Sequence, residues 1–459
     1  MSELGITRYA AYVPGFVLAG TSFGAAAEVN GARQLRTVAN HDEDSVTLAV
    51  EAARHVLVGE DDPAMLVFAT SEPPYLDKSS AATVHAALGM PAAGRAIDVH
   101  GLRGGASALE IALRGGGLAV LSDLRTMPPG APDELGHGDG AVAFLVVPSE
   151  RPAAVPVGSA SATLELLERW RLPGASHPRV WDERFTADAL AGLAADTARR
   201  ALAEAGVERP DRIAVSCANP RAAAAVRRAL GAGPEDAQLD ALLGHTGAAH
   251  IGLLLADALD RSAPGETILL VGIADGVDAT VYRAGSALPD ARVGRPVREQ
   301  AESRRPLAYD RYLRLRRLLS LQGARRPDPP APASPPMLRS SGWKYALIAS
   351  RCTVCGAVET PPGRVCPSCG AVDSGEAYSL RDVGCTVVSV TLDRLAPTPD
   401  LPVSIAVVDV DGGGRRSTEV TDVSPDGVRV GDRLTPTFRR LHSADGIHNY
   451  FWKTRPEGI

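Results

Sequence analysis

Residues 96–113, AIDVHGLRGGASALEIAL, run from a short apolar segment through a glycine turn into an apolar helical pattern. This order predicts a strand, a tight turn and a buried helix. A second stretch, GHTGAAHIGLLLADAL (244–259), repeats the turn and the helix, and two strand-like segments follow each copy. This internal repeat predicts a duplicated α/β unit. The alternation of strands and helices up to about residue 285 favours a layered α/β fold.

Length and composition limit the function classes. The chain has 459 residues, 45% hydrophobic and 22% charged, as in an ordinary globular protein of two or three domains. A net charge of −6 argues against general nucleic-acid or membrane-surface binding. The sequence has no signal-peptide layout at its start and no apolar run near the roughly 20 residues that span a bilayer. We therefore expect a cytoplasmic protein with no nucleic-acid and no membrane partner.

Four of the six cysteines form two CxxC pairs in CTVCGAVETPPGRVCPSCG (352–370). Each pair is typical of a tight knuckle, and four thiolates fill the tetrahedral shell of Zn²⁺. Because no ligand position stays open, we expect a structural zinc ion, with two separate redox pairs as the alternative. The four ligands are Cys352, Cys355, Cys366 and Cys369.

The amino-acid composition of the chain changes after the α/β region. A charged, helix-like segment leads into the proline-rich RRPDPPAPASPPM (325–337), which predicts an extended linker. Short alternating segments with glycine turns follow the cysteines and predict a small β-barrel. The predicted domains are an α/β domain at 1–290 (halves of about 1–150 and 151–290), a charged helical segment and linker at 291–340, a zinc ribbon at 341–375 and a barrel at 376–459.

The C-terminal part, from Trp343 onward, resembles the zinc-ribbon plus OB-fold family associated with acyl-CoA enzymes. The matching stretches include KYALIASRCTVCGAVETPPGRVCPSCG, GCTVVSVT, PVSIAVVDVD, VRVGDRLTPTFRRL and YFWKTRP, in family order. The resemblance implies a domain that docks on thiolase-type enzymes and helps to seat or pass coenzyme A (CoA) thioesters. OB-folds also bind nucleic acids, but this barrel has no basic aromatic face that the sequence can show.

The N-terminal part resembles the thiolase superfamily, in particular its hydroxymethylglutaryl-CoA synthase and ketoacyl-ACP synthase III branch. The resemblance is carried by ITRYAAYVPGFVL, DEDSVTLAVEAARHVL, DKSSAATVHAALG, GHGDGAVAFLVV and GHTGAAHIGLLLADALDRSAPGETILLVGIADG. It implies a duplicated thiolase-like layered fold, a dimer, and acyl-CoA or acyl-ACP as the ligand of an acyltransferase-type site.

The chemistry of that family implies a cysteine at the turn that opens the central helix, where it accepts the acyl group as a thioester. In GLRGGASAL this position falls on Leu102, or on Arg103 if the turn is one residue longer. Neither side chain can be acylated. The resemblance thus implies that the nucleophile is lost, while Gly104 and Gly105 remain because they allow close helix packing at a dimer-facing centre.

Of three further family positions, two are altered and the third, a glutamate, persists. The family's histidine, a general base and oxyanion donor, belongs at the end of the strand RIAVSC, where this chain has Ser216 or Cys217. The asparagine of the family's GNTG turn is replaced by His245 in GHTG. The glutamate acid of the synthase branch lies after the strand ATS, where Glu72 follows with a one-residue difference in register.

Each candidate has a chemical and a structural interpretation. His245 is a relocated base or a histidine hydrogen-bonded within its turn, Cys217 is a surrogate nucleophile or a buried thiol, and Glu72 is an acid or a loop carboxylate. The structural interpretation is favoured for His245 and Cys217, and Glu72 is left open. We expect no chemistry from His137 in GHGDGA, and we place Cys385 in the core of the barrel.

These positions predict a thiolase-superfamily protein with a degenerate site, namely a scaffolding, CoA-binding subunit of an acyltransferase or thiolase-type C–C bond-forming complex. Its expected partners are a thiolase-type catalytic subunit, in a homo- or heterodimer, and an acyl-CoA or acyl-ACP. One alternative is an active condensing enzyme or retro-aldolase that uses His245 and Glu72 without a covalent intermediate. Another is a CoA-thioester sensor without a partner.

Overall fold

The computed structural model divides the chain into two units. The first consists of Met1–Ala39, Asp44–Ala82 and Pro91–Tyr312, and the second of Asn40–Glu43, Thr83–Met90 and Leu313–Ile459. The residues described by the structure are 3–22, 34–57, 63–131, 133–181, 183–319, 327, 329–424 and 427–458. Within these ranges, no helix combines the length and apolarity needed to cross a bilayer.

The first unit alternates strands and helices. Its described strands are β1 (Glu3–Tyr12), β2 (Phe16–Ala19), β3 (Leu35–Val38), β4 (Met65–Thr70), β5 (Arg95–His100), β6 (Gly117–Leu124), β7 (Asp139–Ser149), β8 (Ala154–Thr163), β9 (Arg169–Trp170), β10 (Arg179–Val180), β11 (Arg212–Cys217), β12 (Thr267–Ile273), β13 (Gly276–Ala284) and β14 (Arg305–Pro306). Its helices are α1 (Ser45–Arg54), α2 (Ser80–Ala87), α3 (Gly104–Gly115), α4 (Glu183–Ala205), α5 (Pro220–Leu230), α6 (Gln238–Leu243), α7 (His250–Asp260), α8 (Leu288–Ala291), α9 (Val297–Glu302) and α10 (Tyr309–Leu315); α2 and α10 end in the second unit.

The sheet of the first unit has an internal duplication. In the run β1–β7–β6–β4–β5, the first two pairings are antiparallel and the last two are parallel. The run β8–β13–β12–β11 repeats the first three of these pairings in the same senses. A single pairing, Ile6 with Ala154, joins β1 to β8. The duplicated α/β fold expected from the sequence is confirmed, and in the described part of the chain the second run has no counterpart of β5.

Helices α3 and α7 occupy corresponding places in the two runs, and they contact each other. Their apolar faces share one core with alternate residues of β4, β6 and β7, such as Val67, Leu121 and Phe144. Helix α1 packs on β6 and β7 outside that core cluster, and α4 packs on β8 and β13. The sheets are therefore layered between helices, because each strand face is apolar and must be covered.

Gly105, in the first turn of α3, marks a close approach. A Cβ added there would lie 2.0 Å from the carbonyl oxygen of Ala248 and 2.8 Å from Cγ2 of Ile251. Only a residue without a side chain fits against this backbone. The close packing expected for the glycine turn is thus present within one chain.

The second unit contains a three-stranded sheet and a barrel. The sheet has the order β16–β15–β17, and the closed barrel has the order β18–β19–β20–β22–β21, with Phe438 and Trp452 in its core. The elements are α11 (Ser334–Arg339), α12 (Ser341–Ala346), β15 (Ile348–Cys352), β16 (Val358–Glu359), β17 (Gly375–Ser379), β18 (Cys385–Asp393), β19 (Val403–Val410), β20 (Arg415–Val420), β21 (Arg433–Ala444) and β22 (Ile447–Pro456).

The proline-rich stretch is not extended throughout. Its residues 325, 326 and 328 lie outside the described part of the chain, but residues from Ser334 onward begin α11. The prediction of an extended linker was therefore wrong for residues 334–337. Proline is well accommodated in the first turn of a helix, where its missing N–H costs no hydrogen bond.

A buried ionic cluster belongs to the second unit. Arg439, which is fully buried, donates to Asp422 at 2.9 Å and forms an ion pair with Glu43 at 3.0 Å. Lys453 contacts Asp42 at 2.9 Å. Burial opposes ionisation of Asp42, but Lys453 and Arg439 nevertheless hold its pKa well below the ordinary value. The acids of the short segment 40–43 therefore neutralise buried cations of the barrel.

We predict that Gly105→Ala destabilises the protein, although alanine normally favours a helix. The new methyl group meets the backbone of Ala248, and such overpacking costs about 1–3 kcal/mol. Gly192→Ala is the matched control, since Gly192 lies in α4 with open space around its Cβ position, and it should stabilise by about 0.5–1 kcal/mol. Urea unfolding of both variants measures the difference, and equal midpoints would contradict the close approach.

Candidate functional site

A pocket of the first unit lies at the start of α3, beside the ends of β11 and β12. Its empty volume, including the open mouth, is about 310 Å³. We name it the α3 pocket. Most of its wall is apolar, with polar groups from the α3 turn, β11, the GHTG turn and β13. The lining residues are Leu102, Arg103, Ala106, Ser216, Ala218, His245, Ile251, Gly272, Ile273, Ala274 and Asp278.

The guanidinium group of Arg103 is held by strands of the second run. Its Nε and Nη2 donate to the two carboxylate oxygens of Asp278 at 2.8 and 2.9 Å. Nη2 also donates to Ser161 Oγ at 2.9 Å, and Nη1 donates at 3.0 Å to Thr163 Oγ1 and to the carbonyl oxygen of Asp275. All five donors of the guanidinium group are therefore satisfied, and the bond to Asp278 raises the pKa of Arg103.

His245 lines the α3 pocket as a neutral ring. The backbone N–H of Gly247 donates to its Nδ1 at 3.2 Å, so the ring proton lies on Nε2. Burial, followed by the neighbouring His250, lowers the pKa of His245 well below its ordinary value. A neutral imidazole with its proton on Nε2 can donate a hydrogen bond to a ligand carbonyl through that nitrogen.

A second histidine supports this ring. His250 lies against His245 with the ring centroids 4.3 Å apart. The N–H of Thr246 donates to its Nδ1 at 3.3 Å, and its Nε2 donates to Oδ1 of Asp240 at 2.9 Å. The Asp240–His250 pair therefore fixes the ring on which His245 packs.

The two residues expected at the family's histidine position point in opposite directions, as neighbours on a strand do. Ser216 lines the α3 pocket, whereas Cys217 packs in the core beneath α4 and α5. Burial raises the pKa of the Cys217 thiol to about 12. Cys217 is thus a buried thiol that does not line the pocket.

Glu72 follows β4 but is not among the residues that line the α3 pocket. Its carboxylate forms an ion pair with Arg171, which also donates to the carbonyl oxygen of Ser71 at 2.7 Å. Burial raises the pKa of Glu72 to about 7, against the lowering effect of Arg125 and Arg171. The carboxyl group is therefore poised between its two protonation states near neutral pH.

The remaining candidates lie away from the pocket wall. His137 is buried, and its Nδ1 donates to the carbonyl oxygen of Asp133 at 2.9 Å. Its backbone forms an isolated bridge with that of His245. Cys385 is buried at the start of β18, with its thiol 3.5 Å from the carbonyl oxygen of Leu434.

Several polar groups at the site were not anticipated from the sequence. The only local signal for Asp278 is that it interrupts the apolar pattern of GVDATVYRA, and Ser161 and Thr163 alternate on a polar strand face. Asp240 and His250 carry no spacing typical of a catalytic motif. Their roles depend on which segments the fold brings together.

The four cysteines of the second unit meet at one point. All four sulfur atoms lie within 4.8 Å of one another, with Cys352–Cys369 at 3.7 Å and Cys355–Cys366 at 3.6 Å. Metal–sulfur bonds of about 2.3 Å in a tetrahedron give sulfur–sulfur separations of about 3.8 Å, whereas a disulfide requires about 2.05 Å. This cluster therefore fits a bound metal ion.

The backbone of each CxxC pair supports the same geometry. The N–H of Gly356 donates to the carbonyl oxygen of Cys352 at 2.8 Å, and the N–H of Gly370 donates to that of Cys366 at 2.9 Å. Both glycines have positive φ, of 76° and 73°, which closes each turn tightly. The two knuckles have matching hydrogen bonds.

Comparison with known proteins agrees with both halves of the fold. A family profile described as "ChsH2, C-terminal OB-fold domain" matches residues 384–439. A DUF35 domain-containing scaffold protein of Methanocaldococcus jannaschii is 30% identical over 118 residues, which are 25% of this chain and 83% of that protein. The chain belongs to the DUF35 family through this C-terminal domain.

The N-terminal domain has its own relatives. The hydroxymethylglutaryl-CoA (HMG-CoA) synthase of Methanopyrus kandleri is 29% identical over 344 residues, 69% of this chain and 98% of that enzyme. The structure of MvaS in complex with 3-hydroxy-3-methylglutaryl coenzyme A superposes with a TM-score of 0.59 at 21% identity, covering 73% and 96% of the two chains. An HMG-CoA synthase-like thiolase domain thus precedes the DUF35 domain, and the resemblance noted in the sequence is confirmed.

We predict that Glu72→Gln flattens the pH dependence of stability of the thiolase-like domain. Because folding raises the pKa of Glu72 to about 7, the native state retains a proton that the unfolded state releases near pH 4. This contribution is complete below about pH 4 and lost as the pH rises through about 7, on the order of 3 kcal/mol in total. Thermal unfolding from pH 4 to pH 8 measures it.

The matched control is Glu110→Gln, whose carboxylate pairs with Arg114 on an exposed helix face. This variant should keep the wild-type slope. An unchanged slope in Glu72→Gln would show that Glu72 does not take up the proton.

Proposed function

We propose that this chain is a non-catalytic subunit that binds CoA thioesters and scaffolds a thiolase-type catalytic partner. The proposal rests on the position and the hydrogen bonds of Arg103. At the turn where a thiolase-type enzyme needs its nucleophile, this chain has Leu102 and a guanidinium group whose five donors are all engaged. Neither residue can form the acyl-enzyme, and removing one member of a cooperating catalytic set removes most of the rate.

The relatives support the scaffold part of the proposal. The chain spans 98% of the HMG-CoA synthase of M. kandleri and 83% of the DUF35 scaffold protein of M. jannaschii. One polypeptide here therefore combines a synthase-like domain with a scaffold-type domain. This fusion favours a role in an assembly that handles acyl thioesters.

The pocket and the relatives together support the proposed ligand class. The α3 pocket is mostly apolar with a few converging polar groups, which is typical of small-molecule sites. MvaS has been solved with 3-hydroxy-3-methylglutaryl coenzyme A, and the curacin HMG synthase with an acetyl donor-ACP. By analogy, an acyl-CoA or acyl-ACP is the ligand we assign to this chain.

The free edge of β5 suggests where a subunit pairs. This strand lies at the end of the sheet, and β4 is its only neighbour among the described strands. An unpaired edge presents N–H and C=O groups that a second strand can bond. We assign this edge to a homo- or heterodimer contact with a thiolase-type chain.

We assign structural zinc to the four-cysteine cluster of the DUF35 domain. Four thiolates match the preference of Zn²⁺ and leave no position open for a substrate. When bound, the ion links the strands of the small ribbon sheet, which has few buried apolar residues of its own.

The proposal predicts that labelled acetyl-CoA leaves no acyl group on the thiolase-like domain. Intact-protein and peptide mass spectrometry after incubation measures the adduct, with the HMG-CoA synthase of M. kandleri as the positive control. Leu102→Cys, which adds a thiol at the wall of the α3 pocket, should become acylated if the thioester enters there. An adduct on a pocket residue of the wild type would overturn the proposal.

The competing function is non-covalent acid–base catalysis on an acyl-CoA. One observation favours it, since His245 lines the α3 pocket with Nε2–H available to a ligand carbonyl. If the purified chain turns over acyl-CoA at enzymic rates and His245→Ala abolishes that turnover, the chain is an enzyme. If neither the wild type nor His245→Ala turns over acyl-CoA, the result favours the scaffold function.

Zinc loss should unfold the ribbon. In Cys366→Ser, the metal content should fall from about one zinc ion per chain to near zero, and the thermal unfolding of the DUF35 domain should move to lower temperature. Cys385→Ser is the matched control because its thiol lies in the barrel, and it should keep its zinc. Elemental analysis gives the metal content, and a zinc-free wild type would contradict the assignment.

A further inference from the structure

The ribbon sheet of the DUF35 domain has an open edge at β17 (Gly375–Ser379). Among the described strands its only neighbour is β15, and their antiparallel register has no bulge. Four of its five residues are exposed. Natural proteins commonly protect such an edge with lysine, proline or a bulge, whereas the sequence of β17, GEAYS, contains neither residue. The strand is therefore open to pairing with a further strand.

The ladder between β15 and β17 shows which backbone groups point to this edge. The N–H of Thr353 donates to the carbonyl oxygen of Ser374 at 2.8 Å, and the N–H of Leu380 donates to that of Leu347 at 3.0 Å. Bonded and non-bonded pairs alternate along an antiparallel ladder, so the even-numbered residues from 374 to 380 bond to β15 and its flanks. The residues whose N–H and C=O groups point away from β15 are Gly375, Ala377 and Ser379.

One face of this edge carries two opposite charges. Glu376 and Tyr378 lie on the same face of β17 because side chains alternate along a strand. Arg351 of β15 lies opposite Glu376 and stacks on the Tyr378 ring, with its guanidinium carbon 3.7 Å from the ring centroid. In the described part of the chain, neither Arg351 nor Glu376 takes part in an ion pair. A carboxylate and a guanidinium group are therefore both available to a pairing strand.

We propose that β17 pairs with β17 of a second copy of this chain, antiparallel about a twofold axis at Ala377. In this register Ala377 bonds to the partner's Ala377, and Gly375 bonds to the partner's Ser379, through the backbone groups that point outward. The twofold axis repeats each contact, as in isologous dimers. The two ribbon sheets then form one continuous sheet.

The side chains of the strand match this pairing. Glu376 lies opposite the partner's Tyr378 in a non-hydrogen-bonded pair, the kind in which side chains approach most closely. The guanidinium group of the partner's Arg351 covers that ring, so the Glu376 carboxylate meets an opposite charge. This self-complementarity favours a second copy over an unrelated strand, which would have to supply matching charges. The contact is independent of CoA binding and of the β5 edge assigned above.

Sedimentation equilibrium of the full-length chain over a concentration series measures the molar mass of the particle. We expect Ala377→Pro to halve the mass that the wild type reaches at high concentration. Proline removes an N–H that points away from β15, so the ribbon sheet itself keeps its hydrogen bonds. Glu376→Arg should lower the mass in the same way, because it places two guanidinium groups opposite each other.

A charge exchange tests the pairing of side chains directly. Glu376→Arg combined with Arg351→Glu returns opposite charges to the two sides of the axis and should restore the wild-type mass. Glu150→Arg makes the same change of charge at an exposed bend after β7 and should keep the wild-type mass. Thermal unfolding of each variant shows whether the fold is retained.

The outcomes decide between this edge and other surfaces. A wild type that stays at the mass of one chain throughout the series would overturn the proposal. Association that neither Ala377→Pro nor Glu376→Arg changes would also overturn it, and would assign the contact to another surface such as the β5 edge. If Ala377→Pro does not fold, hydrogen exchange of the wild type replaces it. Amide exchange in residues 375–379 should slow as the protein concentration rises, and exchange that is independent of concentration would contradict the pairing.

Discussion

Gly105 and the carbonyl oxygen of Ala248 can approach closely because glycine has no Cβ, and this approach brings the start of α3 against the GHTG turn. The two halves of the duplicated domain meet at this point. Arg103 therefore reaches the strands of the other half, and His245 faces the start of α3. A bulkier residue at Gly105 would separate α3 from that turn. The α3 pocket depends on this contact more than on any single polar interaction.

Two arginines of the thiolase-like domain illustrate how partners decide a role. All five N–H donors of Arg103 have acceptors, so this residue joins the two halves and has no capacity left for a ligand. Arg125 is more deeply buried, donates to Ser71 Oγ and lowers the pKa of the Glu72 carboxyl group by its charge. Each of the two arginines is therefore held by polar partners of its own half or of the other half, because a buried guanidinium group without partners is costly.

The DUF35 domain brings polar groups together as well as forming an apolar core. The cysteine cluster places the two CxxC turns at one point and fits a bound metal ion. In the same unit, the buried Arg439 and Lys453 are neutralised partly by Asp42 and Glu43, about 400 positions earlier in the chain. The unit is therefore not one continuous stretch of sequence. Removing Asp42 and Glu43 would leave Arg439 with Asp422 and Lys453 with Glu419 as their remaining acidic partners, and the loss of one member of a buried ion pair is costly.

Local patterns in the sequence were sufficient to predict the duplicated α/β fold, the barrel and the four-cysteine cluster. Hydrophobic periodicity and CxxC spacing can be recognised within a few residues. They also located the turn at Leu102 and Arg103. Only the tertiary structure decided that Arg103 pairs with Asp278, 175 positions away, and that Ser216 rather than Cys217 faces the pocket. Partners at such distances depend on how packed layers bring strand ends together, and no local spacing records that.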